Sequence, residues 1–167
     1  MNDLCNRYGS CVLKPLGHKD RIIAFPWGNE DTEALIEIFD QYNVKVTFFV
    51  VGAWADKYPE SVKALHQAGH EVMGHSNDHA HFNALSADEI IADITACNEK
   101  IEAITGVCPT LFRPPYGEYD DHVVSTVRGM GLEIIQWDVE TLTAGAMPWG
   151  ARAFGLSTHP DIEKQLV

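Results

Sequence analysis

Long apolar runs and basic residues are both scarce in this sequence of 167 residues. No apolar run approaches the roughly 20 residues that a membrane-spanning helix needs, and the first residues, MNDLCNRYGSC, lack the apolar core of a secretion signal. Lysine and arginine number 12 against 24 aspartates and glutamates, which gives a net charge of −12 and a pI near 4.9. Nucleic acids and anionic membranes attract the opposite charge. We therefore expect no membrane span, no export signal and no nucleic-acid partner, and a neutral substrate or a cation instead.

Cysteine is scarce too, and the CxxC spacing of many metal and redox sites is absent. The cysteines are Cys5, Cys11, Cys97 and Cys108. Cys97 falls on a stripe of apolar residues at helical spacing, so we interpret it as a core thiol. The stripe consists of Ile90, Ile94, Cys97, Ile101 and Ile104. The even number of cysteines permits disulfides, so the state of Cys5 and Cys11 and the redox compartment stay open.

Short apolar runs alternate with helical patterns from residue 21 onward. The predicted strands are 21–25, 44–51, 70–74, 110–112 and 132–139, and the predicted helices are 32–42, 59–69, 86–105 and 120–131. Such alternation predicts a parallel sheet with helices outside, which is an α/β fold of open or barrel form. The length and the 46% of hydrophobic residues suit one domain. No linker or internal repeat divides it, so we expect an N-terminal extension, 1–20, and a single domain, 21–167.

Histidines cluster in the loop that follows the third predicted strand. The stretch GHSNDHAH, residues 74–81, holds three of the 8 histidines. In parallel α/β folds, sites form on loops at the C-terminal ends of strands, and the unusual residues of this chain fall on such loops. The loops are 26–31, 51–54, 75–81, 113–117 and 138–143. Neutral imidazole binds divalent metal, so His75 and His79 are candidate ligands; the alternative is a pair of solvated loop histidines.

Four stretches of the sequence carry a further signal by their order and spacing. They are KVTFFVVG, AGHEVMGHSNDHAHFNALS, LFRPPYGEYD and EIIQWDV. Together they resemble the polysaccharide deacetylase (NodB homology) family, carbohydrate esterase family 4, nearest its sporulation-type branch, and the match covers about residues 21–142. The resemblance implies a distorted, incomplete (β/α) barrel that removes acetyl groups from N-acetylated glycans such as chitin or peptidoglycan, with one divalent ion, zinc or alternatively cobalt. The family usually acts at the cell wall or spore envelope; the location and oligomeric state of this chain stay open.

The resemblance also implies roles for individual residues. It makes His75 and His79 the metal ligands. It makes the backbone N–H of Tyr116 a donor to the oxyanion, and Arg113 the residue that orients the catalytic base. Two imidazoles and a carboxylate leave an open position for an activated water, and a backbone N–H beside it stabilises a tetrahedral intermediate.

Glycan contacts and one more catalytic position follow from the same motifs. Pro114 and the rings of Tyr116 and Trp137 are the expected sugar contacts, although either ring could equally belong to the core. Glu140, in WDVETLTA, stands where the family has the first Asp after its Trp. Arg113 needs an acidic partner, which Glu140 or Asp138 could supply, and Glu140 is the candidate that we expect.

The first strand departs from the family pattern. It runs IIAFPWGNED, with Pro26 and Trp27 directly after Phe25, as if a short segment had been removed. The family has Phe-Asp-Asp-Gly there, which supplies a general base and a third metal ligand, and neither carboxylate stands at its matched position. Glu30 and Asp31 are the nearest acids, and the electrostatics of a helix N-terminus explain them better.

The C-terminal part departs as well. After Glu140 the sequence no longer resembles the family, and His159, in LSTH, does not have the spacing of the general-acid histidine. The residues after Trp137 are too few for the remaining strands, so we expect the barrel to lack them. Three hypotheses follow: a metal-dependent N-deacetylase with reduced activity, a non-catalytic relative that keeps metal or glycan binding, and a truncated inactive copy. Whether the two departures arose in nature or in decoding of the gene stays open.

Overall fold

Five parallel strands form one sheet in the computed structural model, which describes residues 22–25, 29–30 and 32–136. The strands are β1 (Ile22–Phe25), β2 (Thr47–Val50), β3 (Glu71–Gly74), β4 (Leu111–Phe112) and β5 (Glu133–Ile134). They lie in the order β1-β2-β3-β4-β5, so each strand pairs with its neighbour in sequence. The sheet confirms the predicted α/β fold with parallel strands.

The strands end at the same level of the sheet. Phe25 pairs with Val50, and Val50 pairs with Gly74. Gly74 in turn pairs with Phe112, and Phe112 with Ile134. Because all strands run in one direction, the chain leaves each of them at the same edge. The loops that hold the predicted site residues therefore start from one rim.

Helices connect the strands. They are α1 (Thr32–Gln41), α2 (Gly52–Lys57), α3 (Pro59–Gln67), α4 (Ala87–Thr105) and α5 (Asp121–Gly129), with short 3-10 turns at Phe82–Ala84 and Pro115–Gly117. Helix α4 begins with the predicted capping box, in which the Glu89 carboxylate accepts the backbone N–H of Ser86 at 2.8 Å. It ends at Gly106, which is left-handed at φ 74°. Within the described part of the chain, no helix has the length and apolarity needed to cross a membrane.

Helix α2 is the element that the sequence pattern does not predict. Its six residues make fewer than two turns, which is too short for an apolar stripe to show. Contacts from a distant loop fix it instead, because the backbone N–H groups of Gly52 and Ala53 donate to the carbonyls of Ser76 and Asn77, both at 2.9 Å. The first turn of α2 is therefore bound to the loop that follows β3.

Two strands differ from their predicted ranges by more than one residue. The apolar run 44–51 gives only the four residues of β2, although Val46 and Val51 on either side are also buried. An apolar run reports burial rather than ladder hydrogen bonds, which explains the difference. In the run 132–139, strand β5 covers Glu133–Ile134, and residues from 137 onward lie outside the described part.

The apolar core consists of two clusters that share helix α4. One packs α1, α2 and α3 against β2 and β3, and the other packs α5 against β4. The predicted stripe of α4 faces both, since Ile90 and Ile94 lie in the second cluster and Cys97 and Ile101 in the first. Cys97 is a fully buried free thiol, and burial raises its pKa to about 12. It is the core thiol that the periodicity predicts.

Candidate functional site

Strand pairing places the first site residues side by side. His75 directly follows β3 and Arg113 directly follows β4, and the last residues of these strands are paired. The backbone N–H of Arg113 donates to the Gly74 carbonyl at 3.1 Å, and that of His75 donates to the Val50 carbonyl at 2.9 Å. Three neighbouring loops therefore leave the sheet in fixed positions.

His75 is held in one tautomer. Its side chain is buried, and Nδ1 lies 2.6 Å from the Arg113 carbonyl oxygen. A carbonyl only accepts hydrogen bonds, so Nδ1 carries the proton and Nε2 keeps its lone pair. Burial lowers the pKa of His75 to about 3, against the opposing effect of the hydrogen bond to Arg113. A neutral imidazole whose other nitrogen donates to a carbonyl is the usual state of a metal-ligating histidine.

His79 lies beside His75. The two ring centroids are 5.1 Å apart and the ring planes meet at 77°. Two imidazoles bound to one tetrahedral zinc ion, at Zn–N distances of about 2.0–2.1 Å, have ring centres about 5 Å apart. His79 is half-buried, and burial lowers its pKa, which also favours the neutral form that a ligand needs. The spacing of the two rings therefore matches that of two imidazoles on one divalent ion.

Within residues 22–25, 29–30 and 32–136, no third metal-ligating side chain lies beside His75 and His79. No group of three or more His, Cys, Asp or Glu side chains in that part of the chain is arranged to hold a metal ion. Asp78, between the two histidines, and Glu30, after β1, are both exposed. Asp31, the other acid near β1, lies outside the described residues.

A carboxylate from helix α4 accepts hydrogen bonds from the histidine loop, the segment 75–79 that carries His75 and His79. Asp93 accepts the backbone N–H of Asn77 at 2.9 Å and the hydroxyl of Ser76 at 3.1 Å. Burial raises the pKa of Asp93, and these hydrogen bonds oppose the rise. Sequence reasoning missed Asp93. The sequence did offer one signal for Asp93. It lies one helical turn after Ile90 and directly before Ile94, so it borders the apolar stripe and is an acidic residue close to the core.

The RPPYG turn presents Tyr116 beside the histidines. Pro114 and Pro115 are buried, whereas Tyr116 is 56% exposed and has a left-handed backbone with φ 57°. The His79 ring meets the Tyr116 ring edge to face at 4.6 Å between centroids. The His81 ring stacks on Tyr116 at 4.2 Å with an angle of 9°. One face of the proposed sugar-contacting ring is therefore covered by His81.

His81 and Glu118 connect the loops after β3 and β4. Nδ1 of His81 lies 2.8 Å from Oε1 of Glu118. The amide of Gln136 donates to the Gly117 carbonyl at 3.0 Å, which ties the same turn to the chain after β5. The sequence singled out neither His81 nor Glu118 for this contact, because they are 37 residues apart. Only the common rim of the sheet brings them together.

Of the remaining predicted site residues, the structure describes Arg113 but not Trp137 or Glu140. Arg113 is half-buried and contributes its backbone carbonyl to His75. Trp137 and Glu140, the predicted sugar contact and the predicted partner of Arg113, lie outside the described residues. Their roles stay predictions.

Comparison with known proteins shows which family this chain is similar to. A family model described as polysaccharide deacetylase matches residues 17–135. Chitin deacetylase 1 from Cryptococcus neoformans is 33% identical over 143 residues, which are 81% of this chain and 30% of that protein. A peptidoglycan-N-acetylglucosamine deacetylase from Bacillus cereus is 32% identical over 113 residues, 68% of this chain and 41% of that protein. The chain thus spans less than half of the length of these relatives.

A solved structure shows the same fold. A CE4 family pseudoenzyme from Bacillus anthracis superimposes with a TM-score of 0.67 at 34% identity, over 71% of this chain and 43% of that chain. A mutant of that pseudoenzyme, described as having restored enzymatic activity, matches with a TM-score of 0.66. The predicted NodB-type α/β fold is confirmed by these matches. The chain belongs to the polysaccharide deacetylase family.

Proposed function

We propose that this chain is a deacetylase-type domain that holds one divalent ion, zinc or alternatively cobalt, through Nε2 of His75 and of His79. The observation that carries the proposal is the geometry of the pair, with ring centres 5.1 Å apart and His75 fixed by the Arg113 carbonyl. The proposed substrate is an N-acetylated glycan such as peptidoglycan or a chitin-like polymer. The relatives named as chitin and peptidoglycan deacetylases support this substrate class.

Each part of the proposed site has a distinct chemical role. The ion, when bound, polarises an amide carbonyl and lowers the pKa of a bound water. The backbone N–H of Tyr116 donates to the oxyanion, and the buried prolines beside it hold that turn in one conformation. Pro114, Tyr116 and Trp137 contact the sugar. Arg113 is proposed to pair with Glu140 at the end of the following strand.

A second candidate function is metal or glycan binding without efficient catalysis. Pro26 and Trp27 directly follow Phe25, so the matched position of the family's general base holds no carboxylate. A positioned general acid or base contributes typically about 10²–10⁴-fold to the rate, and we expect a loss of that order. The resemblance to a CE4 pseudoenzyme supports this alternative.

Metal affinity tests the proposed site directly. Zinc binding, measured by competition with a chromophoric chelator, is expected to weaken at least tenfold in His75→Ala and in His79→Ala, because each removes one of two protein ligands. His66→Ala, a half-buried histidine of α3, is the matched control and should bind zinc like the unmodified chain. Cobalt absorption spectra report the ligand set independently. Equal zinc affinity in all four proteins would refute the assignment of His75 and His79.

A further inference from the structure

The loop between the two histidines has a conformation that needs support. Ser76 has φ 70° and His79 has φ 58°, and neither is a glycine. The left-handed region is unfavourable for residues with a Cβ atom, so such a loop persists only where its surroundings fix it. His75 is anchored by the strand it follows, through its N–H bond to the Val50 carbonyl. The position of His79 relative to His75 therefore depends on the loop.

Two helices fix the loop by hydrogen bonds of different kinds. Helix α2 supplies main-chain donors, since Gly52 and Ala53 donate to the carbonyls of Ser76 and Asn77. Helix α4 supplies a side chain, the carboxylate of Asp93, which accepts from the N–H of Asn77 and from the hydroxyl of Ser76. The main-chain bonds use no side-chain donor or acceptor. Asp93 is thus the side chain that binds this loop from a neighbouring helix.

The hydroxyl of Ser76 extends this contact toward His79. Ser76 is fully buried, and its Oγ donates to Asp93 and accepts from the backbone N–H of Ala80 at 3.3 Å. Asp93 therefore restrains both ends of the turn, at Asn77 directly and at Ala80 through Ser76. His79 lies between these restrained residues.

We propose that Asp93 is a positioning residue for the metal site, which keeps the imidazole of His79 at the distance from His75 that one ion requires. The proposal rests on the proposed function, because it takes the two histidines as ligands. Asp93 itself is on helix α4, outside the histidine motif, and acts through the loop. A purely structural role, in which Asp93 only stabilises the packing of α4, is the alternative that an experiment has to separate.

The test compares Asp93→Ala with a core variant of the same helix. Asp93→Ala removes both acceptors and is expected to weaken zinc binding by about 10–100-fold, the usual effect of losing a group that orients a ligand. Ile101→Val removes one methylene group from a fully buried side chain and lowers stability without touching the loop. Its zinc affinity should stay within about threefold of the unmodified chain, because the ligands keep their positions. Asp93→Asn keeps the shape and one acceptor, so it should recover part of the affinity.

Hydrogen exchange of the Asn77 amide in the metal-free protein supplies a second measurement. The exchange should be faster in Asp93→Ala and unchanged in Ile101→Val, because only the first loses the acceptor of that N–H. Unchanged zinc affinity in a folded Asp93→Ala protein would overturn the inference and leave the histidine site intact. If the unmodified chain itself binds no zinc, the proposed function fails, and the positioning role fails with it.

Discussion

At the scale of single residues, burial keeps two histidines neutral. His70 is buried, its ring makes T-shaped contacts with the rings of Phe39 and Phe48, and its Nδ1 accepts the backbone N–H of Val46. Burial lowers its pKa to about 4, and that of His75 to about 3, from an ordinary value of 6.5. Both side chains therefore favour the folded state only while they remain unprotonated.

Stability should consequently fall in mild acid. Between pH 6.5 and about 4, the unfolded chain binds protons at these histidines that the folded chain does not bind. The free energy of unfolding thus decreases as the pH falls, by at most about 1.4 kcal/mol per pH unit for each histidine. Urea unfolding in the presence of a chelator from pH 7 to pH 4 measures this slope. His70→Asn, which retains an acceptor but cannot titrate, should flatten it; an unchanged slope would contradict the argument.

At the scale of elements, the site depends on how closely α2 approaches the histidine loop. A Cβ atom at Gly52 would lie 2.6 Å from Oδ1 of Asn77 and 3.2 Å from the Cα atoms of Asn77 and Cys97. The absence of a side chain at Gly52 is what allows the first amides of α2 to reach the loop carbonyls. Helix α2 and the loop between His75 and His79 are therefore parts of one packed unit.

The same substitution at two glycines should have opposite effects. Gly52→Ala forces Asn77 to move and is expected to lower the free energy of unfolding by about 1–3 kcal/mol. Gly129→Ala, in α5, meets no atom within 4 Å and should raise it by about 0.5–1 kcal/mol, because alanine favours helix. Thermal and urea unfolding of both variants provide the measurement. Zinc affinity should fall only in Gly52→Ala; a neutral effect there would mean that the loop adapts freely.

At the scale of the whole molecule, the loops after the parallel strands all start from one rim of the sheet. The carboxylates that the family has on this rim after its first strand are missing from the matched positions in this chain. The chain has twice as many acidic as basic residues, yet none directly follows β1. The last residue of β1, Phe25, pairs with Val50, next to the strand that leads to the histidines. A carboxylate restored after Phe25 would therefore enter the rim close to the proposed ion.

Insertion of Asp-Ala between Phe25 and Pro26 should raise the activity. We expect acetate release from N-acetylglucosamine oligomers, with added Zn²⁺ or Co²⁺, to be near background for the unmodified chain. The insertion should increase it at least tenfold, since a positioned base contributes about 10²–10⁴-fold. Insertion of Ala-Ala is the matched control, because it restores the spacing without the carboxylate. Efficient acetate release by the unmodified chain would show that another residue acts as the base.

Local patterns of the sequence determined most of the fold and the centre of the candidate site. Alternating apolar runs predicted the parallel sheet, and the Ser86 capping box and the stripe through Cys97 predicted α4. The spacing of His75 and His79 on a loop after a strand predicted that their rings converge. These features could be read from sequence because each depends on neighbours a few residues apart.

Only the tertiary structure decided how the site is held. Asp93 contacts a loop 16 residues earlier, His81 meets Glu118 across 37 residues, and α2 is fixed by carbonyls beyond β3. Such contacts depend on which face of a helix packs on which loop. The sequence pattern around a polar residue does not indicate which distant residue it will contact. The burial that keeps His70 and His75 neutral likewise comes from strands and helices far apart in the chain. The sequence thus placed the two candidate ligands, His75 and His79, on one rim, whereas packing between α2, α4 and the rim loops set their geometry and protonation.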